Sequence, residues 1–148
     1  MPMLDSIAQN AQNKLWEKFR NCFASEAAEE FLRILLTLMQ ITFVVNHEYR
    51  RNIKNFAGRY QFRSADGQLT MAAVFSNGVM EVTEHAIADP HITITFRDGK
   101  TLLNFILSPR QDILGSMLRH DVRTNGNLNY LNKFGYMAKQ LQLMMPPL

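Results

Sequence analysis

Apolar residues in the first third of the chain recur at helical spacing. Leu4, Ile7, Ala8, Ala11, Leu15, Phe19 and Phe23 fall on one face of a helix over 4–23. Ser25 reads as an N-cap, with Glu26, Glu29 and Glu30 favoured by the positive helix start. The helix that follows runs to Val45. It carries Phe31, Ile34, Leu35, Leu38 and Met39 and is apolar nearly all round by Phe43 to Val45. Tyr49, Ile53 and Phe56 predict a shorter third helix over His47 to Asn55.

Glycine is absent up to Gly58, and there the period switches to two. Tyr60 and Phe62 alternate with Arg59, Gln61 and Arg63, which makes a strand with one core-facing side. Asp66-Gly67 is a hairpin turn signal, and Thr70 to Phe75 is the returning strand. Asn77-Gly78 makes a second such turn into Val79 to Glu84. Ile92, Ile94 and Phe96 alternate with His91, Thr93 and Thr95 after an Asp89-Pro90 turn. The expectation is an antiparallel meander packed on one face.

Helices then return. Asp98 can cap a helix bearing Leu102, Leu103, Phe105, Ile106 and Leu107. Ser108-Pro109-Arg110-Gln111 has capping-box spacing and opens a short helix with Ile113, Leu114, Met117 and Leu118. His120 to Thr124 predicts a fifth strand and Asn125-Gly126 a turn. Asn127 caps a last helix that runs to about Leu143.

That last helix has two apolar stripes. Tyr130, Phe134, Met137, Leu141 and Met144 define one, and Leu128, Leu131, Gly135 and Ala138 the other. Together they cover roughly 200° of the helix, about twice what packing on one surface requires. The sheet can supply one apolar partner; the helices at 99–107 and 109–118, or a ligand, must supply the second. Met117, Met137, Met144 and Met145 add thioethers that adapt to irregular shapes. The same stripes would serve as plain core, so the pattern leaves both readings open.

Composition narrows the class. The 148 residues suit one domain, and 47% hydrophobic with 20% charged residues is globular composition. A formal charge of +3 permits anionic partners without specifying one. Cys22 is alone, so no intrachain disulfide framework forms, and Met1 to Asn13 does not read as a signal peptide. Ile34 to Val45 is broken by Thr37, Gln40 and Thr42 and falls far short of the ~20 apolar residues that span a bilayer. A reducing cytoplasm is the expected compartment.

Several stretches together resemble the sterol carrier protein 2 (SCP2) family. They are Gly58-Arg59-Tyr60-Gln61-Phe62, the Asp66-Gly67 hairpin, Asp89-Pro90-His91-Ile92-Thr93-Ile94-Thr95-Phe96 and Asp98-Gly99-Lys100-Thr101-Leu102-Leu103. The most specific is Val122-Arg123-Thr124-Asn125-Gly126-Asn127-Leu128-Asn129-Tyr130-Leu131. The likeness spans roughly 46–143, about two thirds of the chain. It implies an α+β fold, a five-stranded, mostly antiparallel sheet covered by helices, with an apolar tunnel between them. Members of that family bind sterols, fatty acids, fatty acyl-CoAs or phospholipids, and some are accessory carriers in quinone biosynthesis. Two features depart from it. Met144 to Leu148 is not the peroxisomal tripeptide of some relatives, and the helices before Asn46 lie largely outside the family core.

The expected organisation is an N-terminal helical extension, 1–45, and a lipid-binding domain, 46–148. Phe105, Ile106, Met117, Leu131, Phe134, Met137 and Leu141 are the candidate tunnel-lining residues. No cofactor, metal or catalytic residue is expected. His47, His85, His91 and His120 sit in separate elements without metal-pair spacing, and His91 belongs on the polar face of its strand. Glu81 and Glu84 share a strand but point to opposite faces. Arg50, Arg51, Lys54, Arg59 and Arg63 form a basic cluster, read first as a solvated face and second as a patch for anionic membrane. Nucleic acid is not an expected partner, because Tyr60 and Phe62 face the core rather than the charges. Three rival roles remain: a protein-binding scaffold with an empty cavity, a lipid-modifying enzyme relying on Tyr130, and a peripheral membrane protein inserting helix 26–45. Oligomeric state is not legible.

Overall fold

The computed structural model describes residues 10–18, 30–98, 101 and 122–144. Residues 10–18 are helical (α1). Next come α2 (Phe31–Val45), α3 (His47–Arg50) and a 3-10 turn, Arg51–Ile53. The strands are β1 (Gly58–Ser64), β2 (Thr70–Ser76), β3 (Val79–Thr83), β4 (Ile92–Phe96) and β5 (Val122–Gly126), and α4 (Leu128–Leu143) closes the described chain.

The helix read over 47–55 is therefore split. Asn46 ends α2 with an extended backbone, and its side chain accepts the Tyr49 N–H at 2.8 Å to start α3. Asn55 then takes a positive φ of 63°, which a continuing right-handed helix cannot accommodate.

The sheet has the strand order β3-β2-β1-β4-β5. β1–β2, β2–β3 and β4–β5 pair antiparallel, but β4 lies parallel to β1, with Tyr60 opposite Ile92 and Phe62 opposite Ile94. The four leading strands are thus not a meander. After β3 the chain recrosses the sheet and inserts β4 on the free side of β1. Alternation specifies which face a strand buries and says nothing of its neighbour. Beside β4, the main-chain groups of β1 gain partners that an edge strand would leave open.

The two hairpin signals hold, with Gly67 at φ 75° and the Asn77-Gly78 pair at φ 53° and 73°. Asn125-Gly126, expected to turn, instead ends β5, paired with Thr93 and Ile92. Gly126 is required there for a different reason. Its φ is 128°, and a Cβ would sit 2.3 Å from the His91 carbonyl oxygen.

One apolar core joins these elements. Tyr60, Phe62, Met71, Phe75, Ile92, Ile94 and Phe96 on the inner sheet face cluster with Phe31, Leu35, Leu38 and Met39 of α2 and with Trp16 of α1. Residues on both sides of Asn46 therefore share a single interior. Gln12 of α1 donates to the Thr42 hydroxyl of α2 (2.9 Å), which in turn donates to the Leu38 carbonyl (2.7 Å), so the buried polar atoms between these helices are satisfied. The Ser25 cap and the helices read over 99–107 and 109–118 lie outside the described residues, apart from Thr101. That residue is helical, and its N–H donates to Asp98 at 2.8 Å, as a cap requires.

Candidate functional site

The inner sheet face under α4 is built from aromatic rings. Alternation along β1 sends Tyr60 and Phe62 to this face, and both are fully buried. The Tyr60 ring meets Phe75 and Phe134 at 5.6 Å and Tyr130 at 6.0 Å, and Phe62 meets Phe134 at 5.1 Å. Offset and edge contacts at such distances add to area burial. Phe43 of α2 extends the wall, stacked on Tyr49 at 4.3 Å and edge-on to Phe75 at 6.1 Å.

Onto this wall α4 lays one side. Asn127 caps the helix as read, accepting the Asn129 N–H at 2.9 Å. Leu131, Phe134, Met137 and Leu141 all fall on the buried side, between 0% and 3% exposed, in one cluster. The structure thus brings together four of the seven proposed lining residues. Phe105, Ile106 and Met117 lie outside the described residues. Leu128 and Tyr136 are on the exposed side of α4.

Two buried hydroxyls fasten α4 from below. Tyr49 donates to the Met137 carbonyl (2.9 Å) and Tyr60 to the Tyr130 carbonyl (2.8 Å), while Asn52 reaches Gln140 (2.8 Å). Burial holds both phenols above their ordinary range, with the neighbouring Tyr130 adding to the effect at Tyr60. At neutral pH each is a fixed hydrogen-bond donor rather than a proton carrier. The sequence pattern marks Tyr49 only as a helix residue. Its role as an anchor depends on a contact 88 positions away.

His91 departs from the sequence reading. It lies just before β4 and turns toward α4, its ring flat on Tyr130 with centroids 4.6 Å apart and planes 8° from parallel. Its Nδ1 accepts the Arg59 N–H at 2.9 Å.

The basic cluster separates into tied and free members. Arg50 donates to the Phe43 and Val44 carbonyls (3.4 and 3.1 Å), and Arg59 to the Ala88 carbonyl (2.7 Å). Arg51, Lys54 and Arg63 are exposed. Among the described residues no three His, Cys, Asp or Glu side chains gather as metal ligands, and no helix is long and apolar enough to cross a membrane.

Clefts bounded by described residues open elsewhere on the molecule. One of about 270 Å³ lies between Arg33 of α2 and the Asp66 and Asp98 carboxylates. Both carboxyls are held below the usual range, Asp66 chiefly by the Ser64 hydroxyl and Asp98 chiefly by the Thr101 N–H.

No protein-family model and no curated protein matches the sequence. Solved structures do. A UbiJ-SCP2 ubiquinone synthesis protein superposes with a TM-score of 0.56 at 13% identity, over 80% of this chain and 98% of its own. The sterol carrier protein domain 2 of Helicoverpa armigera gives a TM-score of 0.56 at 14% identity, over 81% of this chain and 93% of that one. A sec-alkylsulfatase, Pisa1 from Pseudomonas sp., matches 66% of this chain with 16% of its own, at a TM-score of 0.52 and 15% identity. Likeness at these identities establishes shape and leaves activity to the site itself. The chain has an SCP2-like fold, as its sequence motifs implied.

Proposed function

We propose that the protein binds or transfers a lipid-like molecule in an apolar tunnel between the sheet and its covering helices, and catalyses nothing. The ligand class is a sterol, fatty acid or acyl-CoA, phospholipid or isoprenoid quinone precursor. One observation carries this reading. The side of α4 that faces the sheet is apolar along its buried length, and the two hydroxyls that reach it are already committed to carbonyl groups. Such a lining recognises hydrocarbon through burial alone. About ten buried methylenes supply roughly 8 kcal/mol, enough to offset a mid-range cost of immobilising the ligand.

In this reading Phe105, Ile106, Met117, Leu131, Phe134, Met137 and Leu141 line the tunnel, and the ligand exchanges near α4. The binding unit is 46–148, with 1–45 as a helical extension that contributes α2 to the shared core. The lone Cys22 suits work in a reducing cytoplasm.

Native mass spectrometry of freshly purified protein, followed by lipid extraction, tests the proposal. The expected result is a co-purifying lipid, or saturable uptake of a fluorescent fatty acid that Ile106→Trp and Met117→Trp reduce without lowering Tm. Protein that is consistently empty and takes up no fatty acid would end the carrier reading.

A further inference from the structure

Where β2 turns into β3, the molecule presents a different surface. Gly78 lines two adjoining clefts. The first, about 310 Å³, is walled by Phe43, Val44 and Arg50 on one side and by Val79 and Met80 on the other. The second, about 470 Å³, runs past Lys54, Phe56 and Asn77. Neither is lined by an aspartate or a glutamate.

Val44 and Val79 belong to different elements, the last turn of α2 and the start of β3. They are 69% and 55% exposed, among the largest exposures of any apolar side chain described. Cations border the two clefts. Arg50 is held beside Val44 by its bond to that residue's carbonyl at 3.1 Å. Lys54 lines the second cleft, and the Lys133 Nζ of α4 lies 5.3 Å from the ring of Phe56, another residue of that cleft. Arg51 adds a further exposed cation on the turn between them. Against these, the neighbouring elements set Glu48 on α3 and Glu81 on β3, which leaves an excess of positive charge.

We infer that this face docks on an anionic lipid bilayer. Val44 and Val79 enter the acyl boundary, and Arg50, Lys54 and Lys133 lie at the level of the headgroup phosphates. The apolar part consists of two side chains on separate elements, well short of the roughly 800 Å² per partner of a stable protein interface. Shallow insertion with a cationic rim is the pattern that a membrane surface rewards. The inference rests on the carrier reading, since a carrier must meet the bilayer with which it exchanges.

The test is flotation of the full chain with phosphatidylcholine vesicles, with and without phosphatidylglycerol. Binding is expected only to the anionic vesicles and is lost at high salt, as exposed charge predicts. Val44→Glu with Val79→Glu, and separately Lys54→Glu with Lys133→Glu, should each weaken it on the order of tenfold or more. Arg63→Glu with Arg123→Glu is the control. It removes as much charge from the opposite end of the sheet, beside Thr70 and Thr95, and should leave binding intact. Equal flotation with neutral vesicles, retention by the two docking variants, or an equal loss in the control would overturn the proposal. Fatty-acid uptake without vesicles reads the carrier function separately. Uptake without flotation ends the docking proposal alone; flotation with the expected variant losses supports it even where uptake fails.

Discussion

Along β1 the two faces of the sheet alternate residue by residue, and they bury different chemistry. Tyr60 and Phe62 turn to the inner face, where rings from α4 and β2 pack against them. Gln61 turns to the outer face and is nearly as hidden, only 3% exposed. What covers it is the crossover from β3 to β4. The Ile87 N–H donates to the Gln61 side chain at 2.8 Å, and Gln61 in turn donates to the Met71 carbonyl at 2.8 Å. Arg59, two residues away on the same face, donates to Ala88 of the same crossover. Inner burial is thus driven by removing hydrocarbon from water, while the outer face hides an amide because a passing main chain needs partners. Low exposure alone does not identify the force that produced it.

Four substitutions would break or sharpen this contrast. Tyr60→Ala should cost the most, about 3–5 kcal/mol, since it empties the centre of the aromatic wall and frees the Tyr130 carbonyl. Urea unfolding checks it, and a loss below ~1 kcal/mol would show a looser wall than the ring distances imply. Gln61→Leu keeps the volume but removes the acceptor of the Ile87 N–H, at an expected cost of about 1–3 kcal/mol. Amide exchange at Ile87 should rise before that of β1, and unchanged exchange would show that the crossover has other anchors.

Asp98→Ala should cost about 1 kcal/mol by removing the cap at Thr101. This effect depends on pH with a definite sign. The native carboxyl lies below its ordinary value, so its contribution is complete above the unfolded pKa of about 4 and fades as the pH falls through the native value. Denaturation of both proteins at neutral and acid pH should show the gap narrowing on the acid side; a constant gap would refute the charge-based account. Arg63→Ala, on the open part of the outer face, should change stability by less than about 0.5 kcal/mol. A larger thermal shift would mean that this arginine is more than a solvated charge.

The residue pattern carried much of the architecture. Alternation at Tyr60, Phe62, Ile92, Ile94 and Phe96 reads directly as an inner face, and Asn77-Gly78 and Asn127 act locally as turn and cap, so their roles appear in the sequence itself. The order of the strands was not legible, because an inserted β4 and a continued meander bury the same alternating positions. Gln61 was hidden for the same reason: its burial is a consequence of that insertion. His91 and Tyr49 were misread or under-read because their partners, Tyr130 and Met137, are distant in sequence. Of the proposed lining residues, Leu131, Phe134, Met137 and Leu141 share the helical spacing that the structure turns toward the sheet. That spacing of three and four residues is a local property, and locality is why it could be read.

The parallel placement of β4 also bears on how the chain assembles. β1, β2 and β3 are joined by two tight hairpins, so their contacts close short loops at little entropic cost. β4 reaches β1 only through the 84–91 segment, which closes a longer loop than either hairpin. The order of events is therefore biased toward an early three-stranded unit and a late capture of β4. On that pathway β1 waits with one edge open, and Tyr60 and Phe62 stay partly wet until capture. During synthesis, the edge of β1 is the place where a wrong strand could add.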